Sequence, residues 1–409
     1  STSANSSRNS SFRSASTPRR GWLATVAGLV LAAVLPVTAA AQMSLRSSDD
    51  IPGDIALVGN TLMTHCEGTP VVCGSLSYTN NNTQMQYVNT AAVPSATYAN
   101  SSTADLNLPA GSTVLHAFMY WGGRAGSTDS GRGSISLKLP GGSYQTITAS
   151  TVNTFTSQGD TNADRPYDAF ADITSIVTGA GAGSGTYSVG NADILVGDTS
   201  SGLGYYGGWA IGVVYSNPSK PYRRLAVYDA TSIVVSGTAS QSATVTGLLT
   251  PTSGAFNAYL GALVWEGDCS ISGDAFQLLD PASGNVVNPG NLSDALSPNP
   301  GCKDGTTKQN FWNGGITYLG ADVTTRNPDY PNNLAIDLKI VDISNTGSGT
   351  KPQLANNATQ ATLQFTTNGD VYFPQVATFV TDERPALQLT KTITAGSPYS
   401  AVGNTISYS

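Results

Sequence analysis

The chain has 409 residues, with 26 acidic against 19 basic side chains and only 11% charged residues. So sparse and acidic a charge excludes nucleic acid and anionic membrane surfaces as partners, because both are held by clustered Lys and Arg. Gly, Ser, Thr and Asn take the place of charge, a composition suited to strands and tight turns and poor for helices.

Residues 1–41 have the three parts of a secretory signal. Arg8, Arg13, Arg19 and Arg20 precede any acid, Gly21 to Val37 is an apolar run, and Ala39-Ala40-Ala41 before Gln42 is a small-residue cleavage site. Pro36 and that site favour cleavage over a spanning helix, so the mature chain is not expected to cross a membrane. Pro18 stands where a twin-arginine signal needs Ser or Thr, which favours Sec export. Removing the leader takes away four arginines and no acid, so the formal charge moves from −7 to −11. The expected location is secreted, extracellular or on a bacterial cell surface.

From Asp49 onward, short strands alternate with turn residues, the all-β pattern. Ile55 to Met63 reads as a first strand, Met85 to Val88 as a second, and Thr103 to Leu108 as a third ending at Pro109-Ala110-Gly111. Thr113 to Trp121 is apolar enough for a central strand. Ser134 to Leu139 and Tyr144 to Ala149 flank Pro140-Gly141-Gly142 as a hairpin. Tyr167 to Val177 is expected to be a short helix capped by Asp172 or Thr174 and ended by Gly179. Gly185 to Val189, Trp209 to Tyr215 and Arg223 to Asp229 follow as strands, the second buried on both faces.

A second set runs through Ser242 to Leu249, Ala258 to Glu266, Phe276 to Leu279, Asn333 to Val341, Gln360 to Thr366 and Tyr372 to Val380. The expected fold is therefore two tandem β-sandwiches, jelly-roll or Ig-like, over 49–232 and 233–384. Residues 385–409 add the start of a further module. Ala386 to Ile393 alternates, a turn containing Pro398 follows, and a strand opens at Ala401 and reaches Tyr408. Two strands alone are marginal in water, so they are expected to belong to a longer module or to pair with a neighbouring subunit as a donor strand.

Leu389-Thr390-Lys391-Thr392 followed by Ala401-Val402-Gly403-Asn404-Thr405-Ile406-Ser407-Tyr408 resembles the opening of the bacterial conserved-repeat module. Gly53 to Thr64, Leu108 to Leu115 leading to Tyr120-Trp121-Gly122-Gly123-Arg124, Gly207 to Tyr215, and Gly369 to Pro374 resemble the head region that precedes such stalks. The resemblance implies immunoglobulin-like β-modules strung along large surface proteins, a structural or adhesive role, and no known catalytic site. Related stalk modules join a first-strand lysine to a late asparagine by an isopeptide bond, which Lys391 matches in position.

Four cysteines in an exported chain read as two disulfides. Proximity favours Cys66–Cys73 and Cys269–Cys302 among three connectivities. With His65 and His116 the only histidines, no zinc cluster forms.

Asp160, Asn162, Asp164 and Asp168 have the alternating spacing of a calcium loop, although Arg165 replaces the turn glycine and no Glu follows at the twelfth place. Calcium is thus the one candidate cofactor. Glu266, Asp268 and Asp274 surround Cys269 and read as a structural or metal-binding turn, with a glycosidase carboxylate pair as the rival. No G-x-S-x-G elbow occurs, and the chain is not expected to be an enzyme. Rings beside glycines suggest sugar contact: Trp121 and Trp209 adjoin apolar strands and are expected in the core, whereas Tyr205 and Trp312 are the loop-set candidates for glycan binding. The function expected is the head of a surface stalk or a subunit of an extracellular fibre, partnered by other subunits or glycans. The alternatives are a carbohydrate-binding module and a secreted glycoside hydrolase.

Overall fold

The computed structural model describes residues 41–75, 79–126, 130–156, 164–198, 202–237, 240–268, 271, 273–279, 310–347, 353–384 and the backbone of 393–395 and 407–408. Strands of four or more residues, in chain order, are β1 (Ser44–Thr61), β2 (Ser101–Leu106), β3 (Thr113–Ala125), β4 (Ser134–Lys138), β5 (Tyr144–Thr148), β6 (Thr151–Thr154), β7 (Arg165–Asp172), β8 (Gly185–Gly190), β9 (Gly207–Ser216), β10 (Tyr222–Asp229), β11 (Gln241–Thr246), β12 (Ala258–Trp265), β13 (Ala275–Leu279), β14 (Ile336–Asp342), β15 (Gln360–Thr366) and β16 (Val371–Asp382). Among the described residues there is one α-helix, α1 (Thr174–Gly179). The fold is all-β and sandwich-like. No helix among the described residues is long and apolar enough to cross a membrane.

The strands form four layers. An outer sheet has the order β5-β4-β8-β2, closed by Arg326–Asn327; the opposite outer sheet has the order β11-β15-β13, with Ala41–Gln42 added in parallel. Between them runs one twelve-stranded ladder, β6-β7-β3-β9-β1-β10-β16-β12-β14, continued by Ile316–Tyr318 and Ala321–Asp322, with the short strand Val234–Val235 pairing the start of β16 as the twelfth. β1 is its hinge: Ser44 to Pro52 pair with β10, and Gly53 to Thr61 pair with β9. The ladder doubles back there, so its two halves face each other.

Side-chain alternation shows the layering. β3 sends Ala117, Met119 and Trp121 toward the first outer sheet and Phe118 and Tyr120 into a middle core. β12 sends Leu263 and Trp265 into the same middle core, and Leu260, Ala262 and Val264 toward the second outer sheet. With both faces covered, β9 and β12 need near-continuous apolar runs, which is what their sequences contain. Each fully buried Val, Leu, Ile or Phe contributes about 1.5–3 kcal/mol.

The middle core closes on paired glycines. Gly122 of β3 lies opposite Gly208 of β9. A Cβ on Gly122 would sit 2.9 Å from Trp265 Cε2, and one on Gly208 would sit 2.2 Å from Ile336 Cδ1. Gly122 and Gly208 are therefore strand positions where side chains of the facing half of the ladder enter, not loop positions beside exposed rings.

Two expectations change. A division at 232 does not separate the chain: residues 39–409 cluster as one unit, and β10, from the first half, pairs with β16 from the second. The cause is β1, long enough to serve both inner sheets. Tyr167 to Asp172 is strand rather than helix, since Tyr167, Ala169 and Ala171 pack into one core while Phe170 enters the other. Helix begins only at Thr174, whose amide donates to Asp172 Oδ1 at 2.9 Å. At the end of the chain, Ile393–Ala395 pairs antiparallel with Ser407–Tyr408.

Candidate metal centre

Three loops meet where the second inner sheet ends. β12 stops at Trp265, and Glu266 turns the chain with a left-handed φ of 71° while its amide donates to the Ala335 carbonyl at 2.7 Å. Gly267 must be glycine, because a Cβ there would lie 2.1 Å from Asp337 Oδ2 and 2.8 Å from Trp312 Cβ. Asp268 follows. On the neighbouring strand, Asp370 immediately precedes β16, whose Phe373 lies opposite Trp265. Asp274 immediately precedes β13 of the outer sheet.

Glu266, Asp268 and Asp370 each place one carboxylate oxygen within 4.8 Å of the others, and all three are buried. Their satisfied oxygens have modest donors. Asn80 Nδ2 donates to Glu266 Oε1 at 3.5 Å, Asn81 Nδ2 to Asp268 Oδ2 at 2.9 Å, and the Val371 amide to Asp370 Oδ1 at 2.7 Å. Glu266 Oε2, Asp268 Oδ1, Asp370 Oδ2, both oxygens of Asp274 and Asn80 Oδ1 are buried without a hydrogen-bond partner among the described residues.

The neighbouring acid Asp337 differs. It accepts from the amides of Asn313, Gly314 and Gly315 at 3.0, 3.1 and 3.0 Å, and pairs with Lys339 Nζ at 2.9 Å. Lys339 also donates to the Phe311 carbonyl and, at 2.6 Å, to Asn313 Oδ1. Among the described residues, the buried ammonium nearby, that of Lys339, is thus bound to Asp337.

Burial pushes the carboxyls of Glu266, Asp268 and Asp274 well above the carboxylate range, and the neighbouring carboxylates add to the rise. Burial likewise pushes Asp370 up to about 7, against the amide of Val371, which favours its charged form. Buried charge must be neutralised by protons or by a cation. Oxygen-only ligands of this kind suit a hard divalent ion.

The sequence-predicted residues are distributed differently. Asp160 and Asn162 lie outside the described residues. Asp164 Oδ2 pairs with Arg124 at 3.1 Å, and Asp168 sits inside β7, where it accepts from Asn153 Nδ2 at 2.8 Å. Asp168 is buried and pushed up to about 8, chiefly by loss of water. Asp164 and Asp168 thus answer to different partners, Arg124 and Asn153.

Trp312 is fully buried, with its ring 5.6 Å from Phe276 and Phe365 and 4.5 Å from Phe311. Its expected place on the surface is corrected: the loop that carries it folds inward because its indole fills the outer core. Tyr205 is half-buried, 5.4 Å below the Arg124 guanidinium. Trp121 and Trp209 are in the core. Cys66 and Cys73 form a disulfide between two short paired strands. Cys269, Cys302 and Lys391 lie outside the described residues.

Sequence reading found Glu266, Asp268 and Asp274 as a group but missed Asp370 and Asn80. An aspartate directly before an apolar strand, Gly369-Asp370-Val371-Tyr372-Phe373, was the available signal.

No family model and no curated protein matches the chain. A solved structure described as the crystal structure of the STIV MCP aligns over 79% of this chain and 96% of its own, at 8% identity and a TM-score of 0.17. A superposition that loose supports no inference about this chain.

Proposed function

We propose that this chain is an exported structural protein of the cell surface, the body at the head of a stalk or within a fibre, acting by holding shape and touching neighbours. One observation carries the reading: the twelve-stranded ladder is covered on both faces, so its strands serve packing. The Cys66–Cys73 disulfide supports an oxidising compartment, and the acidic, sparsely charged composition suits a surface that meets no polyanion. The pairing of Ile393–Ala395 with Ser407–Tyr408 favours the opening ribbon of a following module over a donor strand, which needs its edge for another subunit.

Export and surface display are tested together by expressing the tagged full chain in a bacterial host, then shaving intact cells with protease. Release of the tag from intact cells, with particles visible in negative stain, is expected. Retention in the cytoplasm with a reduced Cys66–Cys73 pair would overturn the proposal.

A further inference from the structure

We infer that Glu266, Asp268 and Asp370 chelate one divalent cation, calcium by preference, which pins the end of the second inner sheet to the 79–81 loop. The site is more than an acidic cluster. Asn80, fully buried, reaches Glu266 through its amide nitrogen while its carbonyl oxygen has no donor. Asp274 is also buried, with the Thr367 hydroxyl and the Asp370 carboxyl beside it, and neither of its oxygens is held by an amide or a cationic side chain among the described residues. Buried acceptor oxygens left without donors are what a cation satisfies.

Calcium fits the ligand set. It takes about six to eight oxygens in flexible geometry, carboxylates and amide carbonyls alike, whereas magnesium demands a near-ideal octahedron and keeps several waters. The three carboxylate oxygens lie within 4.8 Å of one another, close enough to reach one ion. Glu266 and Asp268 come from the end of β12, Asp370 from the start of β16, and Asn80 and Asn81 from the loop after β1. A bound ion therefore joins segments nearly 300 residues apart in sequence, as the span from Asn80 to Asp370 shows. Asp274, at the head of β13, brings the outer sheet to the same point.

The inference is independent of export or adhesion, and its test reads the ion directly. Purified full-length chain with its Cys66–Cys73 disulfide intact is stripped with chelator, dialysed against calcium and assayed for bound metal and melting temperature. One calcium per chain and a rise of several degrees are expected. Terbium should give luminescence on excitation of tryptophan, because Trp312 packs against Gly267, and calcium should quench it by competition. Glu266→Gln and Asp370→Asn should each weaken calcium at least ~10-fold, following the loss of one charged ligand, while their stripped forms melt no lower than the parent. Asp160→Asn should leave binding unchanged. No bound metal and no thermal response, with Glu266→Gln raising the melting point, would overturn the inference in favour of a cluster neutralised by protons. Loss of binding in Asp160→Asn but not in Asp370→Asn would overturn it in favour of the 160–168 loop.

Discussion

Trp265 Nε1 donates to Gln375 Oε1 at 3.0 Å inside the middle core. Gln375 Nε2 in turn donates to the Ala169 carbonyl of β7 at 2.8 Å, so one glutamine ties the two facing halves of the ladder. Leaving buried partners unsatisfied costs about 1–3 kcal/mol. Trp265→Phe and Gln375→Leu should each destabilise by that amount. The double variant should fall short of the sum by about 1 kcal/mol or more, as expected for residues in contact. Additive losses in denaturant titrations would mean the bond contributes nothing.

Asp168 gives the chain a pH dependence. Its folded carboxyl is raised to about 8 by burial, so the stability that the neutral form provides is complete below the ordinary carboxyl range. That stability is lost as pH rises through about 8. Asp168→Asn keeps a neutral group beside Asn153 and should be more stable than the parent at pH 8, by roughly 1–3 kcal/mol. It should also show a flatter profile from pH 5 to pH 8. Equal profiles for parent and variant would show that Asp168 is ionised in the fold.

The acidic centre carries the same sign without metal and the opposite sign with it. Raised carboxyls at Glu266, Asp268, Asp274 and Asp370 make the metal-free chain less stable as pH rises. A cation needs the ionised forms, so calcium affinity should rise with pH and fall away below about 7, where Asp370 takes up its proton. Calorimetric titrations at pH 6 and pH 8, in buffers of different ionisation heat, should show protons released on binding. A pH-independent affinity would contradict this.

Trp312→Ala distinguishes core from surface. Fully buried and ringed by Phe276, Phe311 and Phe365, the indole should cost about 3–5 kcal/mol when removed. Loss of glycan binding at unchanged melting temperature would instead restore it to a surface role.

Reading strands from the sequence worked where burial is simple. Trp209 to Tyr215 and Ala258 to Trp265 are unbroken apolar runs because both of their faces are covered, and both were recognisable as central strands. Tyr167 to Asp172 was misread because Tyr167, Asp168, Ala169 and Phe170 mix ring, acid and small residues with no clear period. Only the tertiary structure shows that Asp168 is held by Asn153 in a strand. The layer boundary was illegible for a different reason. Nothing local in Ser44–Thr61 says that its first half pairs with β10 and its second with β9. The acidic centre needed contacts between Asn80, Glu266 and Asp370, which sequence spacing cannot supply.

The middle core makes a claim about the whole body: the two facing halves unfold together. Differential scanning calorimetry of the chain, with tryptophan fluorescence and far-UV circular dichroism as parallel probes, tests it most directly. One transition is expected, with calorimetric and van't Hoff enthalpies equal and both probes coincident. Two separated transitions, one reporting each outer sheet, would contradict it.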